Sequence, residues 1–210
     1  MASIIQICNM ALSHIGAGPL IASISPPDGS VEAGYCATFY DIARTELLEP
    51  GTWSFALTRT ELAELTNASD AWTYAYARPS NCLRALRILR PSTGVTVFNE
   101  DTVSLSRNDR DGAPFDLEGE VIYTDQEEAT LVYTVDVIDP GRFTASFTAA
   151  LSFQLASYLA GPIVKGNEGA KLGDAMRARA MSMADLSAAS AANASSAETG
   201  VTSSIVAARA

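Results

Sequence analysis

Residues 131–143 read LVYTVDVIDPGRF, and within them the pattern changes from that of a strand to that of a helix. From Leu131 to Val137 every second residue belongs to one apolar set, as in a β-strand with one buried face. Asp139 and Pro140 then supply the cap and first-turn residue that favour a helix start. A chain with both kinds of element is expected to be α+β.

Two amphipathic helices are predicted before this point. The first begins at Ser3, which has capping-box spacing with Gln6, and its apolar residues recur at helical intervals until Gly16. The second follows the turn-forming residues 26–29 (PPDG) and ends before Pro50. Two short helices cannot enclose a core without further elements.

Short β-rich runs separated by turn residues occupy the middle of the chain. They are residues 83–89, 95–98, 103–105, 121–123 and 131–137. Val and Ile recur in these runs, and both residues favour strands. The runs predict an antiparallel meander with one buried face.

Two more helices and a tail are expected after the strands. The third helix should begin at Asp139-Pro140 and end at Gly161-Pro162, and the fourth should span about Glu168 to Asp185. Residues 187–210 are mostly Ala and Ser, with too few large apolar groups to order a free segment. We expect a partner to hold this tail.

The predicted architecture is therefore a four-helix bundle interrupted by a β-module. Residues 1–57 form the N-terminal half of the bundle, 58–139 the inserted acidic β-meander, and 140–186 the C-terminal half. Residues 187–210 form an extended C-terminal arm.

Charge is distributed unevenly along the chain. The 24 acids and 14 bases give a net charge of −10, which argues against a protein that grips phosphate backbones. Residues 100–139 hold 12 of the acids and only two bases. The candidate acidic patch comprises Asp109, Asp111, Glu127 and Glu128.

Catalytic and metal-binding patterns are weak. His14 is the only histidine, which excludes a His-pair metal site, and Cys8 and Cys36 lie on apolar helix faces as core thiols would. The acids from Asp109 to Glu118 resemble a calcium loop, but Arg107 occupies its first ligand position. We therefore expect neither a catalytic set, a metal nor a cofactor.

Other features suggest structural or interfacial roles. The glycines Gly166 and Gly169, with Lys171, lack P-loop spacing and predict a flexible link between helices. Twelve of the 14 bases are Arg, a bias typical of interfaces. The aromatic residues Trp53, Trp72, Tyr74 and Tyr76 fit either interface anchors or core packing. No basic leader precedes the first apolar residues, and no membrane span is expected.

Four stretches together match one family in order and spacing. They are Asn9-Met10-Ala11-Leu12 through Ile15-Gly16; Tyr40-Asp41 with Arg44 and Leu47-Leu48; Trp53-Ser54-Phe55-Ala56 with Leu62; and Tyr74-Ala75-Tyr76 through residues 79–84. This order resembles the head-tail adaptor proteins of short-tailed bacteriophages, called tail tubular protein A. The sequence departs from the family pattern at Thr52, Arg78 and Asn81.

The resemblance implies a structural virion protein with no chemistry of its own. Such adaptors form a homo-oligomeric ring, typically of twelve copies, between the portal protein and the tail nozzle protein. The genome DNA passes through the lumen without specific binding. The expected location is the tail or neck of the virion, after assembly in the host cytoplasm.

The expected C-terminal arm supplies the candidate portal contact. Its sizeable apolar groups are Val201, Ile205 and Val206, and Arg209 offers a charge partner near the terminus. Two alternatives remain open at this point: a neck or tail-completion protein of a long-tailed phage, and a small ligand-binding module or enzyme.

Overall fold

A computed structural model describes residues 2–18, 20–89 and 112–197, with the backbone alone from 190 to 197. The chain divides into two compact units. One consists of helices and is interrupted between Phe55 and Ile138, and the other is the segment Ala56–Val137. Helices and antiparallel sheets are thus both present, which confirms the α+β class.

The helical unit contains four helices among the described residues. They are α1 (Ile4–His14), α2 (Val31–Leu48), α3 (Ala145–Val164) and α4 (Gly166–Ala197). Helix α3 packs against each of the other three. Its buried face repeats every four residues through Phe147, Leu151, Leu155 and Leu159, all 0% exposed. The core of this unit is therefore built around α3.

The starts of α1 and α2 follow from their capping residues. Ser3 accepts a hydrogen bond from Gln6 N (3.1 Å), and its own N donates to Gln6 Oε1 (2.8 Å), which confirms the predicted capping box. Ser30 caps α2 by accepting a hydrogen bond from Ala33 N at 3.2 Å.

The predicted bounds of the third helix are wrong at both ends. Asp139 caps only a short 3-10 helix, Pro140–Arg142, and the N-cap of α3 is Thr144. Pro162 lies inside α3, which continues to Val164. Its missing N–H costs one hydrogen bond near the helix end, where the buried face of α3 already holds the backbone.

The fourth helix is longer than expected, so an extended arm beginning at residue 187 is also wrong. Helix α4 remains helical through Ala197. Alanine is the strongest helix former, and it dominates residues 187–197. The candidate docking residues Val201, Ile205, Val206 and Arg209 lie outside the described residues.

Aromatic rings close the helical unit where the chain leaves and re-enters it. The Phe147 ring meets Trp53 at a centroid distance of 4.9 Å, Phe55 at 5.0 Å and Phe143 at 4.7 Å, all in edge-to-face geometry. Trp53 Nε1 donates to Leu47 O at 3.1 Å, and Arg142 Nη2 donates to Phe55 O at 3.2 Å.

The β unit contains two antiparallel sheets. The three-stranded sheet has the order β1 (Leu57–Glu61), β7 (Thr130–Val135), β4 (Cys82–Leu89). The four-stranded sheet has the order β2 (Glu64–Leu65), β3 (Tyr74–Ala77), β6 (Val121–Thr124), β5 (Phe115–Glu118).

A single meander is the wrong topology for these strands. Strand β7 is last in the chain but lies between β1 and β4. Because it is central, its residues Leu131–Thr134 are buried on both faces, not on one. The runs predicted at 95–98 and 103–105 lie outside the described residues.

The core of the β unit lies on one side of the four-stranded sheet. It is formed by Leu62, Tyr76, Cys82, Ile88, Ala113, Ile122, Ala129, Leu131 and Tyr133. Tyr74 and Phe115 pack against its margin. The face of the four-stranded sheet that carries Tyr76 and Ile122 is therefore the inner face.

Small residues bring α3 and α4 into close contact. A Cβ atom at Gly169 would lie 2.8 Å from Ala160 O, and one at Gly173 would lie 2.9 Å from Ser157 O. The interpretation of Gly169 as part of a flexible link is therefore wrong: it is buried in the helix contact. Only Lys165 and Gly166 make the turn, both with positive φ.

Gly169→Ala is expected to destabilise the protein although alanine favours helices. The added methyl group must displace the α3 backbone, and overpacking should outweigh the gain in helix propensity by about 1–2 kcal/mol. Gly34→Ala in α2 is the matched control, because its Cβ would meet nothing within 4 Å. It should stabilise by about 0.5–1 kcal/mol. Urea unfolding of both variants checks the prediction, and equal effects would contradict it.

Candidate functional site

Two residues of the candidate acidic patch fall in a described turn. Glu127 and Glu128 are exposed between β6 and β7, and Glu128 has a φ of 51°. The side chain of Gln126 donates to Glu127 O at 2.7 Å, which holds the turn. Asp109 and Asp111 lie outside the described residues, so the structure does not bring the four carboxylates together.

Three of the four aromatic residues left open by the sequence are core residues. Trp53 is 3% and Tyr76 2% exposed, and Tyr74 packs against the core of the β unit. Trp72 differs, because its Nε1 donates to the exposed carboxylate of Asp116 (3.1 Å). Trp72 is only partly buried.

A carboxylate joins three helices of the helical unit. Glu46 on α2 accepts a 2.9 Å hydrogen bond from Gln154 Nε2 on α3. The Tyr158 hydroxyl on α3 donates to the same oxygen, and Arg177 on α4 pairs with the other oxygen. Phe39 stacks on Tyr158 at a centroid distance of 5.4 Å. We call this group the Glu46 node.

The hydrogen bonds of the Glu46 node connect α3 and α4 to α2. The hydrogen bond to Glu46, together with burial, raises the pKa of Tyr158, so its hydroxyl stays protonated at neutral pH. Gln154 is fully buried, and its amide nitrogen is committed to Glu46. Gln154, Tyr158 and Arg177 thus all bind the Glu46 carboxylate.

The single histidine makes a second polar contact between helices. The Ser152 hydroxyl donates to Ala149 O (2.7 Å), so His14 Nε2 supplies the proton in its 3.0 Å bond to Ser152 Oγ. The imidazole stacks on Phe153 at 4.0 Å, and the Arg179 guanidinium lies 5.2 Å from the same phenyl ring. Burial, and then the Arg179 charge, lower the pKa of His14.

Cys8 and Cys36 are buried, as their apolar positions predicted, and Cys82 is buried as well. Cys8, Cys36 and Cys82 are free thiols inside the two units. A hydrogen bond to Cys36, together with burial, raises the pKa of the Cys8 thiol. A protonated, solvent-excluded thiol is a poor nucleophile and a poor metal ligand.

An open groove of about 290 Å³ runs beside the α3–α4 contact. Tyr158 and Arg177, both members of the Glu46 node, form part of its wall with Asp174. Within residues 2–18, 20–89 and 112–197, no group of three or more His, Cys, Asp or Glu side chains is placed to hold a metal ion. Tyr158, Asp174 and Arg177 give the groove wall hydrogen-bonding and charged groups.

Helix α3 passes the length and composition test for a membrane span. It has 20 residues, and its most apolar window has a mean hydropathy of 1.3. Within the helical unit, 56% of that window is buried. Core helices of soluble proteins pass the same test, so this feature is weak evidence for membrane insertion.

Sequence reasoning missed the Glu46 node altogether. Glu46 and Arg177 are 131 residues apart, and neither lies in a recognisable motif. The only local signal was the Gly169–Gly173 spacing, which is typical of close helix packing and indicates that α4 approaches α3.

No protein-family model matches the chain, and neither does any curated protein.

Glu46→Ala should lower the free energy of unfolding by about 1–3 kcal/mol, because it leaves the buried Gln154 amide without its acceptor. Glu49→Ala, one turn away and exposed, is the matched control and should change stability by less than about 0.5 kcal/mol. In the Tyr158→Phe background, Glu46→Ala should cost less than in the wild type. If the destabilisation of the double variant equals the sum of the two single effects, Glu46 and Tyr158 are not coupled, and the node is contradicted.

His14 should make stability depend on pH. The folded state disfavours the imidazolium, whose pKa lies below its ordinary value of 6.5, so the unfolded chain binds the extra proton first. The contribution of His14 to the free energy of unfolding is therefore fully present above pH 6.5, and it is lost as the pH is lowered. His14→Gln keeps a donor for Ser152 but cannot titrate. Urea unfolding at pH 7.5 and 5.5 should show a smaller loss for the variant, and equal losses would refute the assignment.

Proposed function

We propose that this chain is a structural virion protein, a head-tail adaptor that forms a ring between the portal and the tail nozzle. The genome DNA passes through the ring during ejection, and the protein performs no catalysis. In this proposal the four helices form a bundle into which the β unit is inserted, and identical, heterologous contacts between neighbouring copies close the ring.

The observation that supports the proposal most is the position of the four family-like stretches. Their polar residues make contacts on which each unit depends. Asn9 clamps the loop after α1, because its Oδ1 accepts from Ile21 N (2.9 Å) and its Nδ2 donates to Ile21 O (3.1 Å). Trp53 joins α2 to the Phe147 cluster.

The stretch from Tyr74 to Arg84 has the same character in the β unit. The Tyr76 hydroxyl donates to Gln126 O at 2.9 Å, and Asn81 Oδ1 accepts from the Tyr133 hydroxyl at 3.0 Å. Arg78, at a position where the family usually has an apolar residue, donates to Leu83 O at 3.2 Å. The resemblance therefore rests on residues that hold the fold.

Two further features agree with an adaptor. The Glu46 carboxylate and the His14 imidazole both bond to side chains of neighbouring helices, as expected of a scaffold. The net charge of −10 suits a conduit, because like charge discourages DNA from adhering to the wall. The Ala-rich end of α4 leads toward Val201, Ile205, Val206 and Arg209, which we propose as the portal-docking residues.

Mixing this protein at micromolar concentration with the portal protein of the same virus should yield a complex with a ring of copies. Negative-stain microscopy should show the ring, and light scattering should show the increase in mass of the complex. Deleting residues 199–210, the segment we now call the arm, should leave thermal unfolding unchanged but abolish stable capture, because arms repeated around a ring act through effective concentration.

Neutralising Glu127 and Glu128 to Gln is the matched control, since it changes surface charge without touching the arm. That variant should still bind the portal. Failure of the full chain to form any complex would overturn the adaptor proposal, and unchanged binding by the truncated chain would overturn the role of the arm.

A further inference from the structure

The strand register defines the outer face of the four-stranded sheet. Directly paired residues share a face, and Ala75 pairs with Leu65, with Tyr123 and, through β6, with Asp116. The next row on this face joins Val121 to Glu118. Tyr76 and Ile122, which belong to the core, occupy the opposite face. Ala75 itself is buried, and around it the outer face combines the partly exposed Tyr123 and Val121 with the exposed carboxylates of Asp116 and Glu118.

Trp72 lies beside this face in a fixed position. Its Nε1 donates to Asp116 Oδ2 at 3.1 Å, and the next residue, Thr73, donates from both N (3.0 Å) and Oγ1 (2.8 Å) to Asp125 Oδ1. The first bond joins the indole to the Asp116 carboxylate, and the two bonds of Thr73 fix the backbone next to Trp72. Leu65, on the same face, is 40% exposed.

The charge of the sheet has one sign. The four strands read EL, YAYA, VIYT and FDLE, with no Lys or Arg. On the outer face Asp116 and Glu118 are exposed, and Glu120 is exposed in the turn after β5. A partner that covers this face must therefore supply positive charge.

We propose that the outer face of the four-stranded sheet docks an arginine-bearing segment of a partner protein, read by Trp72 and Asp116. A guanidinium is planar and weakly hydrated, so it can stack on an indole and pair with a carboxylate held at the edge of that ring. An ammonium is a strongly hydrated point charge and gains less from such a pair. A nucleic acid is repelled by the same carboxylates.

The proposal concerns the chemistry of a partner, and it does not depend on the adaptor proposal. It is tested on the isolated full chain without any portal protein, so either proposal can fail alone. A second copy of this chain is an alternative occupant that the same experiment detects.

The chain contains two tryptophans, so its ¹⁵N-labelled spectrum should show two indole N–H signals. Trp72→Phe identifies one of them by its loss. The probe is a glycine-based peptide that carries three arginines, with its N-terminus acetylated and its C-terminus amidated. Titration with this peptide should shift the Trp72 signal. The Trp53 signal is an internal control, because its N–H is buried and bonded to Leu47 O, and it should not move.

Analogue peptides and variants decide the mechanism. The peptide in which citrulline replaces each arginine should not bind. The peptide in which lysine replaces each arginine should bind about threefold to tenfold more weakly than the arginine peptide. Asp116→Asn should weaken arginine binding by a similar factor, whereas Asp174→Asn, an exposed carboxylate on α4, should not.

Three results would overturn the proposal. The first is no shift of the Trp72 signal with the arginine peptide, and the second is equal binding of the lysine and arginine peptides. The third is a Trp72 signal that changes with protein concentration alone, which would assign the face to a second copy of the chain.

Discussion

The edge-to-face contact of Phe147 with Trp53, Phe55 and Phe143 is the constraint on which the helical unit depends. Two of these rings precede the β unit in the chain and two follow it, so their packing joins the halves of the helical unit where the chain crosses between units. Gly51 leaves room for this arrangement, because a Cβ there would lie 2.1 Å from Trp53 Nε1. The aromatic residues of the third family-like stretch are thus required by packing.

Features set by neighbouring residues could be predicted from the sequence. The capping box at Ser3 and the α+β class follow from local pattern, and both are present. The end of α4 was predicted wrongly because the Ala-rich segment was judged by its lack of large apolar groups. Alanine needs no buried partner to favour a helix, and α4 continues to Ala197.

Features set by distant residues could not be predicted. The place of β7 between β1 and β4 depends on pairs such as Leu57 with Thr134, and nothing local in either strand specifies its partner. The Glu46 node likewise joins residues on three helices, and single carboxylates in a sequence do not indicate their partners. Of the candidate site, only Glu127 and Glu128 are described, as exposed residues of one turn.

The pairing of β1 with β7 has a consequence for the order of folding. Residues 57 and 134 are adjacent in this sheet, although the whole length of the β unit separates them in the chain. Once the sheet has formed, the two halves of the helical unit are linked by a short effective loop, and the entropy of bringing them together falls. The helices would otherwise have to meet across a long unstructured segment, which slows folding. The closed sheet therefore lowers the entropic cost of docking α3 onto α1 and α2.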